Sequence, residues 1–219
     1  MKRILIVLLI AFAIPATAVA AISGTGGGTT IANGQATLVS NSTAPYSYVS
    51  FDDLNGQPVA SLHELSADVL SASWGGGSPR FSVEVSNGTT TKNIFVYLGD
   101  PPNFTSGSTG DTGNLLDETL SGARVDSTQV GGPFYGTWAQ AVSAATGSGY
   151  GTISDISVVV DAGWAQTSGS QTVVLDAVSI NGVVYTFTAT AKSDCKDGNW
   201  QALGYKNQGA CISFVETGK

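Results

Sequence analysis

Five aspartates, Asp52, Asp53, Asp155, Asp161 and Asp176, sit beside strand-like runs of this chain, and two carboxylates flanking a sugar bond are all that glycoside hydrolysis needs. Their spacing does not put any two in one cleft, and Asp beside Gly, Asn or a strand end ordinarily builds turns. Acyl transfer would need a nucleophile with a base. The only histidine, His63, lies between Leu62 and Glu64 with no Gly-x-Ser-x-Gly elbow around it, and reads as a polar strand-end residue. No catalytic residues are expected, and the chain is not expected to be an enzyme.

Binding chemistry is better represented. Aromatic residues stand next to glycine-rich loops: Trp74 before Gly75-Gly76-Gly77, Phe134-Tyr135 after Gly131-Gly132, Tyr150 between glycines, and Trp164 after Gly163. Such rings stack on the apolar faces of sugars while nearby Asp, Asn and Gln bond the hydroxyls. Trp74, Tyr135 and Trp164 are the candidate ligand-binding residues; the competing reading makes each a plug for the core. Arg80 at a strand start suits a structural ion pair with Asp161 or Asp126. Cys195 and Cys211, both near the C-terminus, read as one disulfide in an oxidising compartment. With a single distant histidine they make no tetrahedral metal set. Calcium would find oxygen atoms in Gly99-Asp100 and Gly110-Asp111-Thr112-Gly113-Asn114. There is no twelve-residue calcium loop, so no cofactor is expected.

The elements that must carry these residues are strands. Asn181-Gly182 between Val178-Ser179-Ile180 and Val183-Val184-Tyr185 is the signature of a two-residue type I′ hairpin. Strands are expected at 36–40, 46–51, 62–73, 80–86, 92–98, 153–161, 172–180, 183–190 and 212–215. Alternation turns Phe81, Val83 and Val85 inward, as it does Ile156, Val158 and Val160, and sets Val173, Leu175 and Ala177 on one face. Eight or nine strands need two packed sheets or a barrel. The fold class expected is all-β, an antiparallel two-sheet β-sandwich of jelly-roll type with one short helix at TWAQAVSAATG, capped by Thr137 and ended by Gly147. Trp138 on that helix is either buried or turned outward to a ligand.

Residues 1–20 have the three regions of an export signal: Lys2-Arg3, the apolar run Ile4–Ile14, and Ala18-Val19-Ala20 before a cleavage point. Eleven apolar residues rise only about 16 Å as a helix, too short to span a membrane. Loss of the first 20 of 219 residues leaves 199, and shifts the charge from −7 to −9 because Lys2 and Arg3 leave with no acidic residue. That balance argues against nucleic acid or an anionic membrane as partner. The organisation expected is a signal peptide at 1–20, a flexible leader or irregular edge at 21–34, a β-sandwich at 35–190 and a disulfide-closed tail at 191–219.

Gly77-Ser78-Pro79-Arg80-Phe81, FVYLG at 95–99, Arg124-Val125-Asp126, Gly131-Gly132-Pro133-Phe134-Tyr135 and VVVDAGW at 158–164 together resemble a family of secreted bacterial jelly-roll-like proteins with no assigned function. The tail from Cys195 is similar to one carried by various exported bacterial proteins. This resemblance implies fold and export and brings no catalytic residues. LDAVSINGVVY is, more weakly, similar to the closing strands of carbohydrate-binding jelly rolls. Two functions are therefore carried forward: a secreted, non-catalytic recognition module for a glycan or cell-surface component, and an extracellular structural or assembly protein that pairs through sheet edges, with TTIANGQATLVS as a strand donor. Asn41, Asn87 and Asn103 fit the Asn-x-Ser/Thr pattern and matter only in a glycosylating host.

Overall fold

The computed structural model describes Val19, Ala20 and residues 22–218. The chain is β-rich, with strands β1 (Val19–Ala20), β2 (Gly24–Ala32), β3 (Gln35–Asn41), β4 (Ser47–Phe51), β5 (Leu65–Ala72), β6 (Arg80–Ser86), β7 (Thr91–Tyr97), β8 (Gly110–Asp111), β9 (Val125–Asp126), β10 (Thr152–Val160), β11 (Ser170–Ile180) and β12 (Val183–Thr186). The helices are α1 (Glu118–Ser121), α2 (Trp138–Gly147), α3 (Asn199–Ala202) and α4 (Gln208–Thr217), with short 3-10 turns between elements.

The strands form one continuous curled sheet, in the order β1-β12-β11-β3-β2-β4-β10-β6-β7-β9, with β5 on the other side of β11. Among the described residues, only the short β1–β12 pairing is parallel. Where separate sheets were expected, β2 joins the two arms: Gly28–Ala32 pair with β3, and Gly24–Gly27 pair with β4. Residues 24–32 are thus a strand and not a flexible leader. The overlooked signal is Asn33-Gly34, whose φ angles of 53° and 77° match those of Asn181-Gly182, 52° and 79°. Both are left-handed pairs that a type I′ hairpin demands. The expected export signal lies outside the described residues except for Val19 and Ala20, which pair with Val184 and Tyr185.

Period-two alternation builds the core. In one arm the inward rows are Phe51, Ile156, Val83 and Ile94, then Val49, Val158, Phe81, Val96 and Val125. All are buried, and they belong to one hydrophobic cluster with Leu38, Leu65, Val69, Val173 and Leu175 of the other arm. The expected phase of β11 fails after Leu175. A bulge at Asp176 slips the register, so Val178 and Ile180 follow Val173 and Leu175 inward while Ala177 does not.

Helix α2 begins as its sequence dictates. Thr137 and Gln140 form a reciprocal capping box, and Trp138 is buried with its Nε1–H donating to Leu62 O at 2.8 Å. The tail is helical and closed by the Cys195–Cys211 disulfide. Residues 212–215, expected as a strand, lie inside α4: Asn207 caps its start by accepting from Ala210 N, and Gly218 ends it in a left-handed conformation. Among the described residues no helix is long and apolar enough to cross a membrane.

Candidate functional site

The outward face of the arm β4-β10-β6-β7 carries polar and aromatic groups on every strand. Cross-strand register aligns them in rows: Tyr48, Val159 and Arg80; then Ser50, Ser157, Ser82 and Phe95; then Asp155, Glu84 and Asn93. With Tyr46 and Asp161 they line an open depression of about 670 Å³. The third row follows the first two by regular alternation along β10, and a bulge between Ile153 and Asp155 comes just beyond it. The bulge leaves the unpaired Ser154 beside Asp155 on this face, where Ser154 Oγ donates to Glu84 Oε1 at 2.7 Å, while Asp155 enters the depression.

At one end lies an aromatic shelf. The Tyr46 and Tyr48 rings are within 13° of parallel, with centroids 6.3 Å apart, and Tyr46 is 53% exposed. Tyr48 lies flat because Gly26 has no side chain: a Cβ there would stand 2.3 Å from Cε1 of the ring. The glycines of β2 therefore give the shelf its seat.

The other end is charged. Arg80 donates from Nη1 to Asp161 Oδ1 at 2.9 Å and from Nη2 to Asp161 Oδ2 at 2.5 Å, with its guanidinium 4.5 Å above the Phe95 ring. Ser82 Oγ donates to Asn93 Oδ1 at 2.9 Å, and Ser50 Oγ to Asp155 Oδ2 at 3.4 Å. Burial pushes the Asp155 carboxyl above its ordinary range; the Ser50 and Ser157 hydroxyls pull it back, while the charges of Glu84 and Asp52 add to the rise.

The aromatic residues singled out from the sequence stand around a different feature, the Gly75–Ser78 turn, each in its own setting. Trp74 is half-buried against the core, over Gly107, where a Cβ would come within 2.7 Å of the ring. Trp164 is 80% exposed and borders a separate hollow of about 350 Å³ with Ser40, Ser42 and Pro45. Tyr135, 45% exposed, belongs to an aromatic cluster with Phe134, Phe104 and Tyr97. The motif segments of the sequence knit this end together. Arg80 bonds Asp161, Asp161 N donates to Ser78 Oγ, and buried Arg124 donates from Nη1 to Tyr97 O at 2.7 Å and Gly99 O at 2.9 Å. Gln171 adds donors to Ser73 O and Ser78 O and accepts from Ala162 N.

Sequence reasoning missed Tyr46, Tyr48, Phe95, Glu84 and Asn93. Tyr46 and Tyr48 stand two apart, the spacing that puts both on one strand face, but only the cross-strand register reveals that they face Ser, Asn and carboxylate rows. Of the other early candidates, Asp53 Oδ2 accepts from the Tyr185 hydroxyl at 2.8 Å, Asp176 sits exposed at its bulge, and His63 is exposed beside Ser61 O, away from the depression. Comparison with known proteins finds no family model, curated protein or solved structure that matches the chain.

Proposed function

We propose that the chain is an exported, non-catalytic recognition module that binds a carbohydrate chain along the outer face of β4-β10-β6-β7, the two arms of the curled sheet acting as layers of a jelly-roll-like sandwich. The observation that carries this is the Tyr46–Tyr48 shelf, flat over Gly26 and continuous with rows of serine, asparagine and carboxylate groups. A pyranose offers an apolar face to such rings and hydroxyls to such a floor. The buried disulfide suits an oxidising compartment. Trp164, Trp74 and Tyr135 then serve the loop end, with Trp164 the most exposed of the three.

Affinity electrophoresis through gels containing soluble polysaccharides tests this. Retardation by at least one glycan, lost in Tyr48→Ala and Tyr46→Ala with unchanged melting temperature, supports it; equal mobility of wild type and variants in every gel refutes it. Mass spectrometry of the exported protein should find Ala21 at its N-terminus.

One observation favours a second reading, self-assembly through a sheet edge. The outer edge of β12 is paired with Val19 and Ala20, and cleavage after Ala20 would strip that partner away, leaving an edge able to accept another strand. Concentration-dependent oligomers in size-exclusion chromatography support this reading, and a monomer at all concentrations removes it.

A further inference from the structure

The depression holds three carboxylates, Glu84, Asp155 and Asp161, and one guanidinium, Arg80. Arg80 and Asp161 cancel each other through two hydrogen bonds. Glu84 and Asp155 are opposed across β6 and β10, where like charges repel. Each has a serine hydroxyl and neither belongs to an ion pair among the described residues, which pair Arg80 with Asp161 and Lys192 with Glu216. The nearby Lys92 ammonium is 4.5 Å from the Tyr150 ring centroid and is not among the groups lining the depression. Asp155 faces outward by regular alternation with Ser157 and Val159, directly opposite Glu84, so this repulsion is built into the cross-strand register.

A ligand that brings a cation to this pair relieves the repulsion, and one that brings a carboxylate increases it. A compact ammonium has three donors, enough for Glu84, Asp155 and the neighbouring Ser157 hydroxyl, while the ring that bears it extends along the face toward Tyr48. We infer that the depression selects glycans bearing a free, protonated amino group, with Glu84 and Asp155 as the recognition pair, over N-acetylated or uronic-acid chains. This rests on the glycan-binding reading above and specifies its ligand class.

Titration calorimetry on the full exported chain would compare a glucosamine hexamer, its fully N-acetylated counterpart, a galacturonate hexamer and a neutral glucose hexamer, at a pH where the amine is charged. The glucosamine hexamer should bind at least about tenfold more tightly than the N-acetylated one, and the galacturonate weakest. Glu84→Gln and Asp155→Asn should each shrink that ratio to within about threefold, and added salt should shrink it in the wild type. A ratio near one, a preference for the uronate or the neutral hexamer, or a ratio untouched by both substitutions overturns the inference while leaving glycan binding intact. Failure of all four hexamers and of every polysaccharide gel sinks the glycan reading as well.

Discussion

Removing Asp161 isolates the bond that joins the groove to the loop end. The side chains of Arg80 and Asp161 are 15% and 29% exposed, between the surface pairs worth about 0.2–1 kcal/mol and buried pairs whose breaking costs about 3–5 kcal/mol. Two charge-assisted hydrogen bonds in fork geometry raise the value. The Arg80 Nε–H, buried with no partner among the described residues, lowers it. A coupling of about 2 kcal/mol follows. Asp161→Asn, Arg80→Met and the double variant, compared by urea unfolding, should return that coupling, since the loss of contact between Arg80 and Phe95 cancels in the cycle. Each single variant should melt about 4–8 °C lower at this chain length. A coupling below about 0.5 kcal/mol would refute the reasoning, because Arg80 would then be a solvated rim charge free to meet ligand.

Asp155→Asn should stabilise the protein at neutral pH. Its carboxyl is raised in the folded state by burial first, so ionisation there penalises folding above that raised value, and the gain from Asn should fade as pH falls through it toward the ordinary carboxylate range; a constant gain across that window contradicts the cause. Tyr97 is pushed up to about 12 by burial, with Asp126 adding. The unfolded chain would lose this proton near pH 10 while the folded one keeps it, so stability should drop between pH 10 and about 12, and Tyr97→Phe should flatten that drop in alkaline melting curves. Cys195→Ser with Cys211→Ser opens a link spanning 16 residues and should cost about 3 kcal/mol. Amide exchange should locate the loss in α4, and loss of protection in β6 and β10 instead would show that the tail supports the core.

Strand identity and core alternation were readable where hydrophobic residues recur every second position, as in Arg80–Ser86 and Thr152–Val160. The phase of β11 was not, because the bulge at Asp176 depends on β5, a partner distant in sequence. Residues 24–32 misled because glycine and threonine offer few apolar anchors, although Asn33-Gly34 marked the hairpin. The tail misled in the other direction: Ile212, Phe214 and Val215 have strand propensity, yet the cap at Asn207 and the disulfide hold a helix. The groove is a property of register. Each of its residues looks like an ordinary outward strand position until four strands are laid side by side.

Strand β2 is hydrogen-bonded to both arms, and its partner β3 lies against β11. The sheet therefore joins residues 24–41 to residues 170–180, segments remote in sequence. Closure between such remote segments is slow, and the ladder is complete only with β12, which ends at Thr186. A chain cut before Ser170 would leave β3 and β5 without the strand that lies between them.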